Sequence, residues 1–203
     1  ARPASRDAPA LAAALQALEA DLLLLAEVNP SSQRGKPEVF PDDVEPRLPA
    51  YERLAYSRIL SLWVGARKGS GLSATSQPRR EWLESGWALV LDLAWRGRAL
   101  RLFLTDFGSR PTRPRIPGCE TLDRLTLGSP VPWLVVGDFN TPLDSVGFDV
   151  WRAEGRHAFE AAGRGYMGTW PLYPAPVLAI DHAFTGGLTP LRVNAAPLTT
   201  ELE

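Results

Sequence analysis

Three carboxylates in this chain stand at or beside short apolar runs, where a charge is costly unless something holds it. Glu27 follows Leu22-Leu23-Leu24-Leu25-Ala26, Asp138 follows Trp133-Leu134-Val135-Val136-Gly137, and Asp181 follows Val177-Leu178-Ala179-Ile180. Asn140 lies two residues beyond Asp138. Oxygen donors of this kind suit a hard divalent cation, Mg²⁺ or Mn²⁺, which neutralises a substrate phosphate and stabilises charge that develops in a displacement. In that chemistry Asp138 orients or deprotonates a water, and Asn140 donates a hydrogen bond to a phosphoryl oxygen while its carbonyl accepts another. The same two residues also suit an Asx turn that only closes the backbone, and Glu27 also suits a solvated loop. With two histidines and one cysteine, Cys119, the chain lacks the usual donors of a zinc site and has no intrachain disulfide. Asp181 and His182 are neighbours, so a strand points them to opposite faces, and both His182 and His157 read first as satisfied structural residues.

Such groups need rigid elements to place them. Leu11, Leu15, Leu18 and Leu22, spaced 4, 3 and 4, predict an amphipathic helix that starts at the Asp7/Pro9 pair. Residues 22–26 predict a buried strand, and residues 56–64 another. Residues 66–80, rich in Gly, Ser and Arg, predict a surface loop. The alternation of residues 87–95, the Arg96-Gly97 reversal and residues 99–104 predict a hairpin. Residues 121–127 predict a short helix, 133–136 a compact strand stopped by Gly137, 148–154 and 157–162 helical turns, and 177–183 the last strand. The proline-rich stretch 29–50 predicts an irregular excursion, and long loops of that kind are often functional. Neither a repeat nor a linker interrupts the chain, so residues 1–203 are expected to form one domain.

The composition narrows the classes. The 203 residues are 45% hydrophobic with seven tryptophans, which excludes an unfolded chain. The formal net charge of −1 gives no bulk positive field for nucleic acid or a membrane surface. All but two of the basic residues, Lys36 and Lys68, are arginines, and the Arg-bearing segments 64–80 and 109–117 are the places where a local basic stripe is to be sought. No apolar run is long enough to span a bilayer as a helix.

The passages Ala20-Asp21-Leu22-Leu23-Leu24-Leu25-Ala26-Glu27-Val28, Val136-Gly137-Asp138-Phe139-Asn140, and Thr169-Trp170-Pro171 followed by Ile180-Asp181-His182 resemble, in this order and spacing, the endonuclease/exonuclease/phosphatase superfamily of metal-dependent phosphohydrolases. The resemblance implies an α+β fold in which two packed β-sheets carry helices on their outer faces, a four-layer α/β/β/α sandwich with its site at one end. It implies that Glu27 is the main Mg²⁺ ligand, that Asp138 orients or activates the attacking water, that Asn140 contacts the phosphate and that Asp181 assists. The reaction is in-line attack of water on a phosphate ester, whether a small molecule, a lipid-linked phosphate or a nucleic acid. Trp170 and Tyr173 are expected to wall a pocket for a small substrate.

The chain departs from that pattern in three places. It shows neither the opening strand with an asparagine near the metal nor the closing Ser-Asp-His passage, and Asp106 follows Thr105 where many members have histidine. The expectation is a fold shortened at both ends, compatible with an extracytoplasmic or membrane-anchored parent, and Asp106 is read as a surface residue rather than added charge near the metal. Beside catalysis stand a catalytically silent member of the same fold that binds phosphate-bearing ligands or proteins, an inactive fragment of an enzyme, and a plain structural or interaction domain.

Overall fold

The computed structural model describes residues 3–28, 43–110, 112, 114–154, 156–172 and 175–194, with the side chains of 3–7 and 170–177 left aside. Helix α1 (Pro3–Ala17) lies on a three-stranded sheet of β1 (Leu22–Leu25), β2 (Tyr51–Ser57) and β3 (Leu62–Arg67), ordered β1-β3-β2 and antiparallel throughout. A six-stranded sheet contains β4 (Leu72–Ala74), β5 (Arg79–Trp82), β6 (Gly86–Trp95), β7 (Arg98–Phe107), β8 (Trp133–Asp138) and a late strand, Asp181–Gly186. Helix α2 (Ile116–Leu127) links β7 to β8, and α3 (Asp149–Ala153) and α4 (Ala158–Ala162) follow β8. Two small pairs complete the described chain, β9 (Gly163–Arg164) with β13 (Val193–Asn194) and β10 (Trp170–Leu172) with β11 (Ala175–Leu178), so Asp181–Gly186 is β12.

Three apolar clusters arrange these elements as layers. Between the sheets, Leu62, Val64 and Ala66 of β3 meet Leu89, Leu91 and Leu93 of β6 and Leu102 and Leu104 of β7. The opposite face of the large sheet, with Ala88, Val90, Phe103 and Val135, packs on Cys119 and Leu122 of α2 and on Phe148 and Trp151. On the far face of the small sheet, Leu23, Tyr51 and Trp63 pack on Ala8, Ala12 and Leu15 of α1. Alternation at period two sends odd-numbered leucines of β6 to one core and Ala88 and Val90 to the other, which gives the expected α/β/β/α order. Burial pushes the Cys119 thiol up to about 12, so this lone cysteine is an inert core group.

Several elements depart from the sequence expectation. Helix α1 begins at Pro3, so Pro9 falls inside it and forgoes one backbone hydrogen bond. The stretch 56–64 is two antiparallel strands rather than one, because Ser61 takes φ 52° and turns the chain between β2 and β3, leaving Ile59 exposed at the reversal. The loop expected over 66–80 contains β4 and the first half of a sheet-edge strand, β5, both paired to β6. The hairpin β6–β7 turns at Arg96-Gly97, both with positive φ, as expected. The last expected strand, 177–183, is divided between β11 and β12. Most of the excursion 29–50 lies outside the described residues.

Gly137 is inside β8, not beyond it, and this sets the position of Asp138 as the strand's final residue. Its φ is +144°, and a Cβ there would lie 2.0 Å from the carbonyl oxygen of Thr105 on β7. Neither the conformation nor the close approach admits a side chain. Gly69, at φ +81°, has nothing within 4 Å of an added Cβ. The expected outcome is that Gly137→Ala destabilises the chain by roughly 3 kcal/mol or more, whereas Gly69→Ala costs about 1 kcal/mol from the left-handed backbone alone. Urea unfolding of the two variants beside wild type checks the contrast.

Candidate functional site

Three adjacent strands end together. β8 pairs parallel with β7 and antiparallel with β12, and the register places Asp106 beside Asp138 and Asp138 beside Asp181. Side chains at paired positions share a face, so the three carboxylates form a row at one end of the large sheet. Glu27 leaves β1 of the other sheet, exposed, in a left-handed conformation at φ 53°, and the N–H of Val28 after it donates to the Ser61 carbonyl (3.0 Å). The charge of Glu27 reaches both Asp106 and Asp138. The structure therefore brings Glu27, Asp138 and Asp181 to one end of the sandwich, with Asn140 at the same place.

Asp138 is held by its own Asx turn. One carboxylate oxygen accepts the backbone N–H of Asn140 (2.6 Å) and the other accepts the Asn140 carboxamide (3.0 Å). The same Nδ2 donates to the Phe107 carbonyl (2.7 Å), so both carboxamide protons are committed within the protein and Oδ1 is the end left to accept. Asn140 adopts φ 47°, a left-handed conformation that asparagine tolerates better than most residues. The Asx turn weighed against a functional pair is thus present, and it orients the carboxylate. Asp181 is exposed, and its backbone N–H and that of Ile180 both donate to the Thr169 hydroxyl oxygen (3.2 Å each). The Thr169-Trp170-Pro171 passage thereby fixes the start of β12.

Negative charge accumulates here. Burial, then the charges of Asp138, Glu27 and Asp181, pushes Asp106 up to about 7. Burial also raises Asp138 to about 6, helped by Asp181 and Glu27 and opposed by the Asn140 N–H and the Arg115 guanidinium. Both carboxyl groups thus hold their protons above the usual carboxylate range. The reading of Asp106 as a surface residue is corrected: it is half-buried in the row. The signal available was its place at the exit of a strand parallel to the one that carries Asp138. Among the described residues no group of three or more His, Cys, Asp or Glu side chains is gathered to hold a metal ion.

A cavity of about 440 Å³ opens beside Asp138 and Asp181, between the sheets, with Leu24, Leu104, Val136, Phe159 and Met167 on its walls. Tyr173 and the Trp170 side chain lie outside the described residues. Of the basic segment 64–80, Arg67 pairs with Glu19 and Arg79 with Asp92, which also holds Arg101 (2.6 Å). Of the segment 109–117, Arg115 donates to the Gly108 carbonyl and lowers Asp138 through space. No helix among the described residues is long and apolar enough to cross a membrane.

His182 follows Asp181 but faces inward, as the strand period requires. It is 3% exposed and His157 is 2% exposed. His182 Nε2 lies 2.7 Å from the Thr141 carbonyl, its Nδ1 lies 3.3 Å from His157 Nε2, and His157 Nδ1 accepts the Glu160 N–H at the start of α4. Burial lowers the pKa of both rings, His157 to about 4. Sequence reasoning gave the two histidines separate structural roles; the 25 residues between them hid their contact.

The family model described as the Endonuclease/Exonuclease/phosphatase family matches residues 4–201. No curated protein matches the chain by sequence. Among solved structures, a mannosyl-6-phosphatase from Bacteroides thetaiotaomicron superposes with a TM-score of 0.67 at 15% identity, over 91% of this chain and 78% of that one. The catalytic domain of human Nocturnin with a bound sulfate anion gives 0.62 at 17% identity, over 91% and 75%. Truncated TDP2 from Caenorhabditis elegans gives 0.63 at 14% identity, over 92% and 79%. At these identities the likeness is one of fold.

Removing a member of the carboxylate row should relieve the metal-free chain. A carboxyl group whose proton is held above its ordinary range contributes stability at low pH that is lost as pH rises through the folded value. Asp106→Asn is expected to be more stable than wild type in EDTA at pH 8 by roughly 1–2 kcal/mol, after allowance for its partial exposure. The difference should open between about pH 4 and about pH 7 and stay flat above. Denaturant unfolding across that range checks both sign and window.

Proposed function

Because the chain belongs to the endonuclease/exonuclease/phosphatase family, we propose that it hydrolyses a phosphate ester by in-line attack of water, with a divalent cation, Mg²⁺ or Mn²⁺, held by Glu27. The observation that carries this reading is the row of Asp106, Asp138 and Asp181 at three strand ends, facing the charge of Glu27. The donor chemistry fits the ion: these side chains offer only hard carboxylate oxygens, and the burial and mutual repulsion that raise Asp106 and Asp138 are what a bound cation would offset. Mg²⁺ keeps several waters and takes one or two protein carboxylates together with substrate oxygens, so a ready-made cage of three is not required. When bound, the cation supplies neutralisation of the phosphate and of the charge that develops on it.

The chain's own residues divide the remaining work. Asp138 accepts a proton from the attacking water, and the two hydrogen bonds from Asn140 keep its carboxylate from turning. Asn140 Oδ1 offers a second acceptor, so that a water donating to both residues presents its lone pair to phosphorus. Asp181, anchored through Thr169, assists at the rim. The family match over nearly the whole length supports one catalytic domain. The cavity of about 440 Å³ beside the row is of a size that takes a compact phosphate ester.

Hydrolysis of bis-p-nitrophenyl phosphate and p-nitrophenyl phosphate by the purified chain tests this. The expected result is turnover that needs Mg²⁺ or Mn²⁺, disappears in EDTA and falls by about 100-fold or more in Asp138→Ala, with Glu27→Gln shifting the metal requirement upward. Turnover that survives EDTA or the Asp138 substitution would overturn the mechanism, and no turnover with either metal would leave a phosphate-binding member of the family without catalysis.

A further inference from the structure

Two buried imidazoles stand directly behind the candidate site, and their hydrogen bonds have one consistent direction. The Thr141 carbonyl can only accept, so the His182 nitrogen 2.7 Å from it, Nε2, carries the proton. The neutral ring then has a bare Nδ1, which obliges His157 Nε2 to donate across the 3.3 Å contact. His157 Nδ1 is bare in turn and accepts the Glu160 N–H, capping α4. The chain runs from the start of α4 through both rings to Thr141 and leaves no ring nitrogen without a partner. Aromatic packing holds the rings in place: His182 meets Phe148 at 5.1 Å and Phe139 at 5.8 Å, and His157 meets Phe184 at 5.0 Å.

Thr141 is the far end of the segment that carries the water-handling pair. The Phe139 N–H donates to Ile180 (2.9 Å) and ties the near end to the residue before Asp181. The Thr141 hydroxyl folds back on the Phe139 carbonyl (2.7 Å), and Asn140 between them is left-handed at φ 47°. A left-handed residue between two anchors keeps its conformation only while both anchors hold. We propose that His157 and His182 are positioning residues: through the Thr141 carbonyl, the His182 N–H sets the backbone of Asn140 and with it the direction of the Asp138 carboxylate. This rests on the assignment of Asp138 and Asn140 as the pair that handles water.

Two substitutions at one position separate positioning from mere packing. The amide of His182→Gln reaches the place of Nε2 and can still donate to Thr141, whereas that of His182→Asn reaches only the place of Nδ1 and can bond only to His157. With Mg²⁺ and bis-p-nitrophenyl phosphate, His182→Asn is expected to lose about tenfold in kcat with KM little changed, and His182→Gln to recover most of that loss. Nitrogen-15 spectra supply a readout independent of turnover. Wild type should show both rings as the Nε2–H tautomer, and the Asn140 side-chain amide signals should shift and exchange faster in His182→Asn but not in His182→Gln. Equal kcat in the two variants, a loss that follows thermal stability alone, or Asn140 signals unmoved in His182→Asn would overturn the positioning role. If wild type turns over no phosphate ester, the hydrolytic reading fails on that count and the Asn140 signals still decide whether the pair sets the loop.

Discussion

The structure depends on the register at the end of β8. A strand paired parallel on one side and antiparallel on the other has no freedom to slide without breaking both ladders, and a slip of one residue would turn each carboxylate to the opposite face. The contact that permits this register is the approach of Gly137 to the Thr105 carbonyl, closer than any side chain would allow. Parallel pairing of β7 with β8, made across α2, then levels Asp106 with Asp138, and the hairpin-free return of β12 levels Asp181 with both. Leucine and valine packing between the sheets fixes the strands; the carboxylates are carried at their ends and contribute nothing favourable to that packing.

The row has an energetic cost that the surroundings answer locally. At a separation of about 5 Å across neighbouring strands and an effective dielectric of about 20, two ionised carboxylates repel by roughly 3 kcal/mol. Asp106 avoids part of this by holding its proton, Asp138 is compensated by the N–H and carboxamide of Asn140 and by Arg115, and Asp181 remains in solvent. β12 then separates two electrostatic worlds by its period: Asp181 looks outward to the charged row, and His182, one residue on, looks inward to an aromatic core in which both imidazoles are neutral and fully bonded.

Local pattern made much of this legible. Alternation marked β6 and its hairpin with β7, the unbroken leucines marked β1, and the apolar run before Gly137 marked β8. The polar residues left at the ends of such runs, Glu27, Asp138 and Asp181, could be named from their incongruity alone. The elements that differ take their order from pairing rather than from a pattern of their own: β4 (Leu-Ser-Ala) and β5 (Arg-Arg-Glu-Trp) are short segments ordered on β6, and the β2–β3 reversal turns at Ser61. Asp106 and the histidine pair were undervalued for the same reason. Their meaning comes from registers and contacts between residues tens of positions apart, which composition and spacing do not encode.

A phosphate ester is itself an anion, and the row facing it is anionic. Arg115 donates to the Gly108 carbonyl and lowers Asp138, but it stands against four carboxylates, Glu27, Asp106, Asp138 and Asp181. On the proposed reading this imbalance is the reason a divalent cation is needed before substrate can enter: it reverses the sign of the field at the strand ends. On that reading the cavity beside Asp138 and Asp181 is where the ester approaches the strand ends. Within the same reading, repulsion along the row also favours a cation with an anionic ester behind it, and Asp138 and Asn140 hold one water against that ester.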